Sequence, residues 1–155
     1  MLKQMTVEDI NTVVDIYAKC FSFFSIGFNE LSEGKLDNVS AARMFRGQLY
    51  TILGATNHCN LVYVDDADEI LGFIITSLTL AKGGHMECWI EDWCVLPDER
   101  GKGIGKALLY EVIEWANVYG VKYMFSEFGT QNSLAQTSIG KLGFKHTASV
   151  YMRKL

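Results

Sequence analysis

Proline is almost missing from this chain: Pro97 is the only one in 155 residues. That leaves no proline-rich linker, and it confines any proline-induced break in a strand or helix to a single point. Long apolar runs are missing as well. No stretch approaches the roughly 18–20 apolar residues of a bilayer-spanning helix. The start, Met1-Leu2-Lys3-Gln4-Met5-Thr6, lacks the apolar core of a signal peptide, so a cytoplasmic protein with no membrane partner is expected. Basic charge is sparse: 14 Lys and Arg face 18 Asp and Glu, for a net charge of −4, and no basic run occurs. General nucleic-acid binding is therefore not expected. The four cysteines, Cys20, Cys59, Cys88 and Cys94, show no C-x-x-C spacing, which argues against structural disulfides. His85 and Cys88 lack a second ligand pair at metal-binding spacing, so no metal site is expected, and His58 and His146 read as polar surface residues.

What remains is a composition of 49% hydrophobic and 21% charged residues, that of a soluble globular protein. The length suits one domain over residues 1–155 with a substantial core. Leu2 to Met5 reads as a short strand, and Thr6 with Asp9 as a variant capping box. Ile10, Val13, Val14, Tyr17 and Phe21 recur at helical spacing. Periodicity then fades into an aromatic and acidic loop from Ser22 to Asn38. A second helix is predicted from Asn38 or Ser40, with Phe45, Leu49, Ile52 and Leu53 on one face. Strands follow at Asn60–Val64, Ile70–Leu80 and Met86–Leu96, joined by turns at Asp65–Asp68 and Ala81–Gly84. The spacing then predicts a helix from Ile104 to Tyr119, stopped by Gly120, and a strand from Val121 to Phe128. A short helix from Asn132 to Leu142 and a final strand or hairpin from Phe144 to Lys154 complete a mixed α/β layer architecture.

The most informative run is Val95-Leu96-Pro97-Asp98-Glu99-Arg100-Gly101-Lys102-Gly103-Ile104-Gly105-Lys106-Ala107. An apolar strand ends at the proline, three glycines follow at alternate positions, and a helical pattern starts near Ile104. Glycines let backbone approach a bulky ligand, and a helix start offers free N–H donors aided by the helix dipole. Together these suit a phosphate or pyrophosphate. Two familiar phosphate motifs fail on spacing. A P-loop needs Gly at Arg100 and Ser or Thr at Ala107, and a dinucleotide fingerprint beginning at Gly101 needs Gly or Ala at Lys106.

Arg-x-x-Gly-x-Gly after a strand and into a helix resembles the acyl-CoA pyrophosphate loop of the GCN5-related N-acetyltransferases. A second stretch, Asn132-x-x-Ala135 followed by Lys141-Leu142-Gly143-Phe144, resembles that family's second cofactor motif, and the order of elements matches over essentially the whole chain. The resemblance implies a mixed, mostly antiparallel central sheet with flanking helices and a splayed strand pair that opens a slot for the cofactor. It implies acetyl-CoA as co-substrate. By resemblance, the main chain of Cys94, Val95 and Leu96 would line the slot and pair with the pantetheine arm. The N–H groups of Arg100, Gly101, Lys102, Gly103, Ile104, Gly105 and Lys106 would hold the pyrophosphate. The side chains of Lys102 and Lys106 would either reach the ribose phosphate or serve as solvated charges at the helix start. Asn132 would contact the pantetheine arm, cap its helix, or do both. The family also implies the possibility of a homodimer.

Transfer of an acyl group to an amine needs a proton acceptor, because an alkylamine of pKa near 10.4 is only about one part in two thousand neutral at pH 7. Two glutamates resemble the family's proposed bases: Glu91, four residues before Val95, and Glu127, five residues before Asn132. Glu91 is preferred for its apolar surroundings. Asp92 falls on the opposite strand face by the two-residue period and is the lesser candidate. The family's tyrosine, the proposed acid for the leaving thiolate, would fall where this chain has Ile139, with Tyr151 and Tyr123 as possible substitutes. The acceptor site is expected from the first two helices and the loop between them, with Phe24 and Phe28 as an apolar wall and Glu30 on an acidic rim. A small primary amine is the favoured acceptor. A peptide amine is the runner-up, and a non-catalytic acyl-CoA-binding module is the alternative of a different class.

Overall fold

In the computed structural model, residues 1–20, 38–128 and 132–148 are described, with side chains of residue 38 left aside. One sheet runs β1 (Leu2–Gln4), β2 (His58–Val64), β3 (Ile70–Leu80), β4 (Met86–Val95) and β5 (Tyr123–Ser126), in that spatial order. Every neighbouring pair is antiparallel except β4 and β5, which are parallel. The described helices are α1 (Ile10–Cys20), α2 (Asn38–Ile52), α3 (Ile104–Val118) and α4 (Ser133–Lys141). This is the mixed, mostly antiparallel α/β architecture expected from the sequence.

The sheet separates two apolar layers. On one face, Val13, Val14 and Tyr17 of α1 and Phe45 and Leu49 of α2 pack on Val62, Phe73, Ile75 and Cys94. The Tyr17 and Phe45 rings stack with centroids 4.0 Å apart. On the other face, Ile104, Leu108, Leu109 and Val112 of α3 cover Leu61, Ile74, Leu78, Cys88 and Ile90. Covering on both faces explains why β3 reads as a nearly unbroken apolar run rather than an alternation.

Local chemistry sets the boundaries. The Asp9 carboxylate accepts from Thr6 N at 2.8 Å, fixing the entry to α1. Asp65 Oδ1 accepts from Ala67 N and Glu69 N, closing the β2–β3 turn, where Asp68 adopts a φ of 68°. The strand or hairpin expected from Phe144 is not seen over its first five residues: 144–148 form no regular element, and 149–155 lie outside the described residues.

Candidate active site

The β4–β5 ladder begins at Glu87 and Tyr123 and ends at Ile90 and Ser126. β4 nonetheless continues to Val95, so beyond Ile90 the two strands are no longer paired. A cleft of about 940 Å³ opens where they part, near the upper end of the range for small-molecule sites. β4 walls it with Ile90 to Val95, β5 and its sequel with Ser126, Glu127 and Phe128, and α4 with Asn132 and Ile139. Tyr17 and Cys20 of α1 and Phe45 and Gln48 of α2 close the far side.

An irregularity in β4 fixes the chemistry of that wall. Ile75 pairs with Asp92 and Thr76 with Ile90, so Glu91 is the extra residue of a β-bulge. Ordinary alternation puts neighbouring residues on opposite faces, as expected above for Glu91 and Asp92. The bulge overturns that expectation. Asp92 follows Cys94 onto the α1–α2 face, and Glu91 reaches the same face, where Ser77 Oγ donates to its Oε1 at 2.5 Å. Two carboxylates therefore line the cleft together. Burial, and then the charge of Glu91, push the Asp92 carboxyl up to about 7. Burial, and then Asp92, push the Tyr17 hydroxyl up as well.

The loop after β4 begins with a 3-10 turn at Pro97–Glu99. Gly101 and Gly103 have φ of 80° and 87°, the left-handed region open to glycine at little cost, and Gly103 is the N-cap of α3. No neighbour within 4 Å would meet a Cβ added at Gly103, so that position borders open space. Gly105 serves a different purpose: a Cβ there would lie 3.3 Å from the Trp93 ring, so its bareness seats α3 against β4. Gly101, Gly103, Ile104, Gly105 and Lys106 all border the cleft.

The remaining candidate residues divide. Cys94, Val95 and Arg100 line the cleft, whereas Leu96 packs against the α1–α2 core. The Arg100 side chain turns inward, with Nε donating to Val95 O at 3.1 Å and Nη2 lying 3.7 Å from Cys20 Sγ. Lys102 Nζ pairs with Glu99 at 3.0 Å, and Lys106 Nζ sits 5.4 Å from the Tyr110 ring centre. Asn132 caps α4, its Oδ1 accepting from Ala135 N at 3.0 Å, while also lining the cleft. Glu127 is exposed at the cleft, and Ile139 is half-buried in its wall. Tyr123 sits at the opposite end of β5, edge-on to His85, and Tyr151 lies outside the described residues. Phe24, Phe28 and Glu30 also lie outside them. His85 pairs with Glu87 rather than Cys88, and among the described residues no group of three or more His, Cys, Asp or Glu is placed to hold a metal ion.

Sequence reasoning set Asp92 on the wrong face and missed Ser77 and Tyr17. Two adjacent carboxylates inside an otherwise apolar strand were the available signal for the first. Nothing local marked Ser77, whose partner lies 14 residues away.

Residues 11–144 match the sequence model of the Acetyltransferase (GNAT) family, and the chain belongs to that family. Mycothiol acetyltransferase of Renibacterium salmoninarum is 31% identical over 87 residues, 54% of this chain and 25% of that protein, so the chain spans about a quarter of the curated relative it matches. Among solved structures, a BH1408 protein from Bacillus halodurans is similar with a TM-score of 0.84 at 18% identity, covering 100% of this chain and 99% of the other. AAC(6')-Iy in complex with a bisubstrate analog, CoA-S-monomethyl-acetylneamine, is similar with a TM-score of 0.71 at 21% identity, covering 100% and 97%. At these identities the structural likeness is one of fold.

Proposed function

We propose that this chain is an acetyl-CoA-dependent N-acetyltransferase acting on a small primary amine, its residues 1–155 forming one catalytic domain. The observation that carries the reading is the bulged pair Glu91 and Asp92, both in the cleft between the parted strands and beside the glycine loop. The donor set fits the co-substrate. Backbone N–H groups from Arg100 to Lys106, at the start of a 15-residue helix, suit a pyrophosphate. The unladdered edge of Cys94 and Val95 suits the amides of a pantetheine arm. AAC(6')-Iy binds a CoA-containing bisubstrate analog, which supports CoA in the corresponding place here.

Acetyl-CoA supplies an activated thioester carbonyl. The chain's own residues must position the amine and remove its proton. The two carboxylates form an acidic end to the cleft that favours an ammonium ion over a neutral or anionic molecule. Glu91, oriented by Ser77, is the proton acceptor for the amine, directly or through water, and Glu127 across the cleft supports or replaces it. On the sequence alone, Phe24 and Phe28 are proposed for the apolar wall of the acceptor site and Glu30 for its acidic rim. No tyrosine stands at position 139 to protonate the leaving thiolate. A thiol of pKa near 8.5 departs at pH 7 with a penalty of only about 2 kcal/mol, so turnover persists without that acid. The test is release of free CoA thiol from acetyl-CoA in the presence of small amines, aminoglycosides and peptides. Turnover with a small amine supports the reading. Turnover with peptides alone moves the acceptor class, and binding without turnover on any amine identifies a non-catalytic acyl-CoA module.

A further inference from the structure

Beside the cleft lies a cluster that this chemistry does not use. Cys20 is the last residue of α1, and Cys94 the last but one of β4. Each sulfur lies 3.9 Å from the same carbonyl, Val95 O, so one acceptor atom gathers both thiols. Arg100 reaches into the same cluster, its Nη2 3.7 Å from Cys20 Sγ and its Nε on that carbonyl. Both cysteines contribute to the cleft wall. The molecule contains its own contrast. Cys59 and Cys88 also neighbour one another, on the opposite face of the sheet, but the charged groups acting on them are the carboxylates Glu111 and Glu91.

We propose that Cys20 and Cys94 form an oxidant-sensitive pair, which hydroperoxides close into a reversible disulfide that weakens acyl-CoA binding in the adjoining cleft. A thiolate, not a thiol, attacks peroxide, and a cation beside the sulfur favours the thiolate. Arg100 Nη2 lies 3.7 Å from Cys20 Sγ; the adjoining Cys94 thiol, and then Arg100, push the Cys20 thiol down, while Cys20 and burial push Cys94 up. Cys20 is thus the attacking sulfur and Cys94 the resolving one. In the first step Cys20 takes the distal oxygen of hydrogen peroxide, the O–O bond breaks, and the hydroxide released gains a proton to leave as water. In the second, Cys94 sulfur attacks the Cys20 sulfenic acid, the S–S bond forms, and the hydroxyl with the Cys94 proton departs as a second water. The two thiols lose two electrons and two protons together, and the peroxide is reduced to two waters.

The consequence follows from what Arg100 holds. In the reduced protein it ties the end of α1 to Val95, the final residue of β4, just before the glycine loop. Oxidation draws the Cys20 sulfur toward Cys94 and away from Arg100, and the backbone expected to bind the cofactor loses part of its support. The coupling to cofactor rests on the acyl-CoA reading of the cleft, whereas disulfide formation does not.

The experiment treats the full chain with hydrogen peroxide, blocks residual thiols by alkylation, and maps cross-linked peptides by mass spectrometry. CoA affinity is measured by calorimetry before oxidation, after it, and after reduction with dithiothreitol. A Cys20–Cys94 peptide, with CoA affinity about fivefold weaker and restored on reduction, is expected. The effect should persist in the Cys59→Ser, Cys88→Ser double variant and vanish in Cys20→Ala and in Cys94→Ser. Peroxide that yields only Cys59–Cys88 linkage, or over-oxidised Cys20 with no disulfide, overturns the proposal. So does a mapped Cys20–Cys94 disulfide with unchanged CoA affinity. A reduced protein that binds no CoA at all refutes the acyl-CoA reading instead, and peptide mapping still decides the thiol pair.

Discussion

Replacing Asp92 by Asn should change how stability depends on pH. Burial in the cleft wall, together with Glu91, moves the Asp92 carboxyl from an ordinary 3.8 to about 7. The folded state therefore binds the Asp92 proton more tightly than the unfolded chain, and stability must fall as pH rises between those values. Below about pH 4 the group is protonated in both states and the penalty is absent, and above about pH 7 the penalty is complete. At about 1.4 kcal/mol for each tenfold difference in proton affinity, the displacement sets a ceiling of roughly 4 kcal/mol. Asp92 is half-buried and borders an open cleft, so water reduces this to about 2 kcal/mol. Asp92→Asn keeps the shape and removes the titration. Urea unfolding of both proteins at about pH 4.5 and about pH 8 gives the comparison, because titrating groups remote from Asp92 cancel in the difference. The wild type should lose about 1 kcal/mol more than the variant across that interval, the rest of the penalty having set in below about pH 4.5. Parallel curves, or a steeper loss in the variant, would refute the claim that the bulge buries this carboxyl beside Glu91.

The other predictions concern rate and packing. Glu91→Gln should lower kcat by roughly 10²–10⁴, with Glu127→Gln costing less; a Glu91→Gln enzyme of normal rate rejects the assigned base. Gly105→Ala should destabilise by about 1 kcal/mol, because its Cβ would press on Trp93 at 3.3 Å. A thermal midpoint equal to or above wild type would show that the indole yields without cost. Ile139→Tyr should raise kcat by up to about tenfold if thiolate departure limits turnover, while Ile139→Ala should leave the pH profile alone. A rate at saturating acetyl-CoA that the tyrosine leaves unchanged places the limiting step elsewhere.

Much of the scaffold is legible residue by residue. Ile70–Leu80 is a strand over the expected residues because its branched, apolar side chains are covered on both faces. Gly101 and Gly103 stand out because left-handed backbone selects glycine. Asn132 was read as a cap, and it is one. The active-site detail was harder because it depends on a break in regularity. A period of two has no means of indicating that Glu91 is an inserted residue, and the bulge is fixed by pairing to Ile75 and Thr76 on another strand. Gly105 borders the cleft as a phosphate-loop residue would, and a further demand on it comes from Trp93, twelve residues earlier. Arg100 is expected to offer its backbone N–H to the cofactor, and nothing in the local sequence marks its side chain as a brace between Val95 and Cys20. Such roles are set by distant contacts, which a local spacing rule does not see.

The central claim is that the cleft beside the glycine loop holds acetyl-CoA. Calorimetric titration of acetyl-CoA into wild type and into Gly103→Asp tests it most directly. The substitution adds a carboxylate where the space is open, at a φ of 87°, and beside the expected pyrophosphate. Saturable binding by the wild type, weakened about tenfold or more in a variant with wild-type circular dichroism, is the predicted result. Equal affinity in the two folded proteins, or no binding by either, would contradict it.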